Sequence, residues 1–141
     1  MHKIRTIVLL LLAVCCNKDD DPEKFTSING FWTLRTPDSQ TTLTFRIAQD
    51  EDDILVIDRA SVVHNGTDFN SKPIDAEILT ISAREIESLT FVNNSFEIPY
   101  FVIRLISISV NEDFTEMQID NSSFNINGEF REFSMITAAR N

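Results

Sequence analysis

The chain holds two cysteines and two histidines, the residue types from which thiol nucleophiles, zinc sites and neutral-pH general bases are built. Their spacing keeps them apart. Cys15 and Cys16 are adjacent and end an apolar run; His2 stands in front of that run and His64 lies far downstream. If residues 1–16 are a leader, His64 is left without a thiol or a second imidazole. Neither a Cys/His nucleophile nor a Cys/His zinc site is then expected. A Ser-His-Asp triad would also need His64, which falls in the turn-like stretch His64-Asn65-Gly66-Thr67-Asp68 with no nucleophile-elbow sequence beside it. Asp50-Glu51-Asp52-Asp53 could offer carboxylates to Ca²⁺, yet it lacks the glycine and distal glutamate of an EF-hand loop. An acidic hairpin tip that keeps a sheet edge soluble is the favoured reading. No glycine-rich phosphate loop occurs. The inventory predicts a protein that is not an enzyme, with no catalytic residue, no metal site and no cofactor.

The stretch around the cysteines has its own chemistry. His2, Lys3 and Arg5 form a basic start, and Ile7 to Val14 is an unbroken apolar run. That run is shorter than the roughly 20 residues a membrane-spanning helix needs. It also lacks the polar face of an amphipathic core helix. A basic start followed by such a run reads as a secretory signal.

After the run come Cys15, Cys16, Asn17, Lys18, Asp19, Asp20 and Asp21. This order resembles the lipobox of bacterial lipoproteins, with Leu three places before the modified cysteine and a small residue just before it. Cys15 has Leu12 and Val14 at those places; Cys16 has Ala13 and Cys15. Lys18 and the acids Asp19, Asp20 and Asp21 resemble the export tag of Bacteroidetes-type surface lipoproteins, which favours Cys16 over Cys15. The resemblance implies acyl chains, palmitate among them, on Cys16. It also implies outer-membrane localisation with exposure at the cell surface. Anchoring needs more than one chain, at about 0.8 kcal/mol per buried methylene. The expected organisation is a signal over residues 1–16, a polar acidic tether over 17–27 and a single domain over 28–141.

The body is acidic. The whole chain carries a formal charge of −10, and removing Lys3 and Arg5 with the signal makes the remainder more negative. Such a surface repels phosphate backbones, so no nucleic-acid partner is expected. Both cysteines lie in the leader, so no disulfide braces the domain. Stability must come from a core rich in rings: eleven Phe with Trp32 and Tyr100.

The pattern along the domain is β. Leu43, Phe45 and Ile47 alternate with Thr42, Thr44 and Arg46, a half-buried strand. Strands are also expected at Ile28–Leu34, at Ile54–Val63, in Phe96–Val110 and at Phe130–Ala139. Pro99 marks an edge, bulge or strand start. Asn65-Gly66 and Asn127-Gly128 are hairpin turns. Residues 76–82 and 87–92 read as two strands, with a short helix near 83–88 as the competitor. Met117 and Ile119 begin a strand that Phe124 and Ile126 resume after a turn at Asn121-Ser122-Ser123. With only three glycines, Asn and Asp should take most positive-φ turn positions. The long apolar strand 100–110 could serve as an augmentation edge for a partner. Eight or nine short strands without a long helix predict an all-β antiparallel meander, either a barrel or a β-sandwich.

Gly30-Phe31-Trp32 at the head of the first strand resembles the G-x-W opening of lipocalins and the wider calycin group. The resemblance implies that Gly30 and Trp32 close a barrel floor, with a basic residue near the last strand packed across the tryptophan. Arg140 is the candidate, Arg131 the second. It further implies a barrel holding one small apolar ligand, lined by Phe. Aromatic residues at alternate strand positions also simply fill cores, and Trp32 could be an ordinary core tryptophan. Thr67-Asp68-Phe69 resembles the family's T-D-Y motif but lies too early in the chain. Two functions follow. One is a non-enzymatic envelope lipoprotein binding a small hydrophobic molecule. The other is a β-sandwich interaction subunit of an outer-membrane complex, with an envelope protein as partner.

Overall fold

In the computed structural model, residues 25–70, 73–93 and 99–141 are described. Cys15, Cys16, Lys18, Asp19, Asp20 and Asp21 lie outside them, as do residues 94–98 at the start of the strand expected in Phe96–Val110.

Nine strands follow in chain order: β1 (Gly30–Arg35), β2 (Thr41–Gln49), β3 (Leu55–His64), β4 (Thr67–Asp68), β5 (Ile74–Thr80), β6 (Glu85–Asn93), β7 (Phe101–Val110), β8 (Glu116–Ile126) and β9 (Glu129–Arg140). They form one antiparallel sheet in the order β4-β3-β2-β1-β9-β8-β7-β6-β5. The chain is a meander whose last strand returns to its first. β9 pairs with β1 over a short ladder that runs from Trp32–Arg140 to Leu34–Ala138. The sheet curls into a half-barrel, so that β3 and β5 come close without sharing a ladder. A sandwich needs two facing sheets. A single curled sheet is the lipocalin-like architecture, and the β-sandwich alternative does not describe this chain.

The turns follow their chemistry. Asn65-Gly66 has φ of 47° and 77°, and Asn127-Gly128 has 55° and 86°. Two consecutive positive φ values make the tight hairpin turn that Asn-Gly favours. Residues 81–84 form a bend rather than the competing helix, and no helix occurs among the described residues. Positive φ is shared more widely than the glycine count suggested. Asp53, Asn65 and Asn127 have it, but so do Ser39, Ser107, Phe114 and Met135.

Two of these, Ser107 and Met135, lie inside strands and explain a misreading. β8 runs unbroken through Asn121-Ser122-Ser123, where a turn was expected. Met117 and Ile119 are buried at odd positions, then Ser122, Phe124 and Ile126 at even ones. The inward face therefore steps by one residue inside the strand. β7 steps between Leu105 and Ile108, and β9 between Phe133 and Ile136. In adjacent ladders, the positions left out of pairing are Ser107, Asp120 and Met135. One unpaired position per strand, aligned across three strands that keep their register, is a shared interruption of the ladders. The register itself shifts by one residue between Arg46 and Ile47 in the β2–β3 ladder and between Leu79 and Thr80 in the β5–β6 ladder, and such bulges bend and twist a sheet, which lets it curl. Ser122 then points inward, and its hydroxyl donates to the Phe133 carbonyl at 2.9 Å. β7 lies between β6 and β8, so the strand read as an augmentation edge has none to offer.

Inside the curl, Trp32, Leu34, Leu43, Phe45, Leu89, Phe91, Phe101, Ile103, Leu105 and Phe124 are fully buried. The rings of Phe45 on β2 and Phe91 on β6 meet at 5.3 Å between centroids. These phenylalanines pack against one another across the interior, with the tilted geometry that aromatic pairs prefer.

Candidate binding site at the open end of the barrel

One end of the barrel is a floor. Trp32 is fully buried, and its Nε1 donates to the Ile28 carbonyl at 2.9 Å. Its cross-strand partner is Arg140, whose guanidinium carbon sits 5.1 Å from the Trp32 ring and 4.1 Å from the Phe25 ring. Arg140 Nη1 donates to the Ser27 carbonyl at 3.0 Å and to the Phe114 carbonyl at 3.3 Å, and Nη2 donates to the Asn29 carbonyl. No carboxylate pairs with Arg140 among the described residues; carbonyl dipoles and two ring faces hold the cation. Gly30 has φ of 138°, and a Cβ there would lie 2.6 Å from Arg140 Nη2. The floor thus brings Gly30, Trp32 and Arg140 into one contact. Ser27 and Phe25, read as tether, pack into it. The residues of the tether before Phe25 lie outside the described ones.

Arg131 is elsewhere. It faces inward from β9 at the opposite end, above the short β1–β9 ladder. There it pairs with Asp38 and donates from Nη1 to Gln40 Oε1 at 3.0 Å and from Nη2 to Thr41 Oγ1 at 2.6 Å. It clamps β9 to the β1–β2 loop and to β2, where no backbone ladder joins them. Partial burial pushes the Asp38 carboxyl up, but hydrogen bonds from Thr36, the Gln40 N–H and Arg131 hold it below its ordinary value.

Thr41 passes the polarity inward. Its oxygen accepts from Arg131 and is hydrogen-bonded to His64 Nδ1 at 2.8 Å. That nitrogen also lies 3.4 Å from Arg131 Nη2. The Arg131 guanidinium beside Nδ1 disfavours a second positive charge on His64. Nε2 lies 3.3 Å from the Asn65 side-chain amide. Burial, then the charge of Arg131, lowers the His64 pKa; Glu129 and Asp38 act weakly the other way. A histidine with a depressed pKa in the folded state stays neutral there while the unfolded chain takes up a proton. Its contribution to stability is intact above about pH 6.5, the unfolded value, and is lost as the pH falls below it. The melting temperature should drop between pH 7 and pH 5, and His64→Asn should flatten that drop. Equal slopes for the two proteins would show that another group carries the acid sensitivity.

Beside this cluster the barrel opens. A cleft of about 520 Å³ is lined by His64, Phe69, Pro99, Ile126 and Glu129, with Asn65, Thr67 and Asn127 at its rim. Phe69 is buried and stacks edge-on to both His64 and Phe101, at 6.2 Å in each case. The base is thus aromatic and aliphatic, and the rim carries amides, a hydroxyl and one carboxylate. Thr67-Asp68-Phe69 contributes Thr67 to the rim and Phe69 to the base. Sequence reading assigned none of Phe69, Ile126 or Glu129 to a site. The signal it could have used is modest: apolar residues directly flanking two Asn-Gly turns.

Two other openings are of comparable size. A cleft of about 440 Å³ lies at the β3–β5 seam, between Ile57 and Ala60 on one side and Ile74 and Ala76 on the other. Another, of about 410 Å³, borders the floor near Leu55, Thr80 and Phe114. The acidic tip Asp50–Asp53 is an exposed turn closed by Asp50 Oδ1, which accepts from the Ile54 and Asp52 N–H groups. Among the described residues, no group of three His, Cys, Asp or Glu could hold a metal ion. No protein-family model, no curated protein and no solved structure matches this chain.

Proposed function

We propose that this protein is a lipid-anchored cell-envelope lipoprotein, held in the outer membrane by acyl chains on Cys16. Its lipocalin-like domain is non-enzymatic and binds a small hydrophobic molecule at the open-end cleft. The single observation that carries the binding reading is that cleft. Its volume of about 520 Å³ falls within the range of small-molecule sites, and its base is apolar with a few polar groups at the rim. The filled interior below it argues for a ligand seated at the mouth rather than deep in the barrel. The anchoring reading rests on the order of basic start, apolar run, cysteine, lysine and acids in residues 1–21.

Native mass spectrometry of protein purified from envelope membranes tests both parts. The expected result is an N-terminal diacylated Cys16 and a further small mass that leaves on denaturation. Thr67→Trp, which fills the cleft from an exposed strand, should remove the small mass and keep the acylated one. A bare protein mass would count against ligand binding; a free Cys16 thiol would count against the anchor.

The second reading, an interaction subunit of an outer-membrane complex, has one observation in its favour. Ile54 and Ile81 are 58% and 66% exposed. They neighbour Leu55 and Thr80 in the cleft beside the floor. Exposed apolar side chains beside a cleft suit a protein contact.

A further inference from the structure

An arginine near the mouth of a barrel invites a carboxylate ligand, but the charges around this mouth argue otherwise. Arg131 is engaged by Asp38, Gln40 and Thr41 and is not among the residues that line the cleft. Among the described residues, His64 is the only other group there that could become cationic. Its Nδ1 is hydrogen-bonded to the Thr41 hydroxyl, with Arg131 3.4 Å away opposing a second positive charge. A carboxylate entering the cleft would therefore meet no free cation among the described residues.

Glu129 supplies the opposite charge. It is the β9 residue paired with Ile126, which is buried on the inward face, so its side chain shares that face at the mouth. It lines the cleft, and no cation pairs with it among the described residues. The amides of Asn65 and Asn127 and the hydroxyl of Thr67 flank it. The base below, Phe69, Pro99 and Ile126, is apolar, and Phe69 offers a ring. Rings and a carboxylate around one cavity suit an organic cation with a short apolar body. The excess of acidic residues over the whole chain adds long-range attraction of the same sign.

We infer that the open-end cleft selects a small amphiphile bearing an ammonium group over its alcohol and carboxylate counterparts. This rests on the proposed binding function and specifies its ligand class. Glu129 receives the ammonium, Phe69 and Ile126 receive the apolar body, and the Arg131–Asp38 pair stays outside the cleft.

The test is an NMR titration of the full-length protein in a neutral detergent, with hexylamine, hexanol and hexanoate as probes. Shifts of the Asn65 and Asn127 side-chain amides report occupancy of the cleft. The Thr67→Trp protein serves as reference for partition into micelles and for attraction by the acidic surface. Hexylammonium should bind about fivefold more tightly than hexanol, the scale of one partly exposed ion pair, and hexanoate more weakly than either. Glu129→Gln should remove the amine's advantage and leave hexanol unchanged. Glu132→Gln, one carboxylate further along the outer face of the same strand, should preserve the advantage. Hexanoate binding as well as hexylammonium, or equal loss in the two glutamine variants, would overturn the ligand class while leaving a hydrophobic site in place. Shifts with none of the three probes would overturn the binding function itself.

Discussion

Trp32→Ala should cost the domain about 3–5 kcal/mol, the range seen when a buried large aromatic is cut to alanine. Trp32 has no exposed surface, and it sits where β1, β2 and β9 converge, opposite Phe45 and Arg140 in the two ladders. Its removal leaves an indole-sized void under the floor. It also orphans the Ile28 carbonyl that accepts from Nε1. The neighbours that could collapse into the void belong to a sheet whose curvature is set by pairing on both sides, so relaxation should be partial. With domain stabilities of about 5–15 kcal/mol, the variant should be close to unfolding at room temperature. Trp32→Phe keeps most of the ring and should recover about half of the loss. Urea denaturation followed by far-ultraviolet circular dichroism measures both. A loss under about 1 kcal/mol for the alanine variant would mean that the floor repacks freely and that Trp32 does not hold it.

Gly30→Ala should be nearly as damaging, and its cost should depend on Arg140. Two effects add. The φ of 138° belongs to a region almost reserved for glycine, at a cost of about 1–3 kcal/mol for another residue. The new Cβ would also stand 2.6–2.9 Å from three atoms of the Arg140 guanidinium group. That group is the tip of a flexible side chain, but hydrogen bonds to the carbonyls of Ser27, Asn29 and Phe114 keep it in place. To admit the methyl it must give up part of that set. Arg140→Met alone should cost about 2 kcal/mol or more, because three part-buried carbonyls lose their donor. In the Arg140→Met background the clash is gone, and Gly30→Ala should cost only its backbone strain. The double-mutant cycle should therefore show coupling of about 1 kcal/mol. Strict additivity would mean that Arg140 steps aside without loss, and that the three residues do not act as a unit.

Two neighbouring turns illustrate what could be read in advance. Asn65-Gly66 and Asn127-Gly128 were legible because a two-residue hairpin loop is a local object: two positive φ values, met by the residue types that tolerate them. The alternation of β2 was legible for a similar reason, since a strand buried on one face repeats every second residue. The meeting of Gly30, Trp32 and Arg140 came from a three-residue likeness and from position near the chain end, not from any periodicity. Arg131, the second candidate for that role, shows the limit. It is on the same strand and inward-facing, but the barrel has two ends, and strand length alone decides which end a residue serves.

The candidate site was hardly legible. Phe69, Ile126 and Glu129 come from a short strand end, a hairpin base and its cross-strand partner. Nothing in their spacing links them; they share a cleft because β3, β8 and β9 end at the same rim. The His64–Thr41–Arg131 chain is likewise a product of three strands. Taken alone, His64 had to be read as a histidine in a turn. Its lowered pKa follows from burial and from the charge of Arg131, which the packing of three strands brings beside it.

The amino-acid order by itself determined that the domain is β throughout, where most of its strands and tight turns fall, and that its surface is acidic. Each of these depends on residues within a few positions of one another. Only the tertiary structure decided that one sheet curls on itself rather than splitting into two. It alone showed that Asn121-Ser122-Ser123 continues a strand and that the phenylalanines meet in the middle. The physical reason is the same in each case. Inward burial at odd positions followed by even ones looks like an interruption along a single strand. When the unpaired residues Ser107, Asp120 and Met135 stand side by side across strands that keep their register, the step becomes a shared interruption of the ladders rather than a turn.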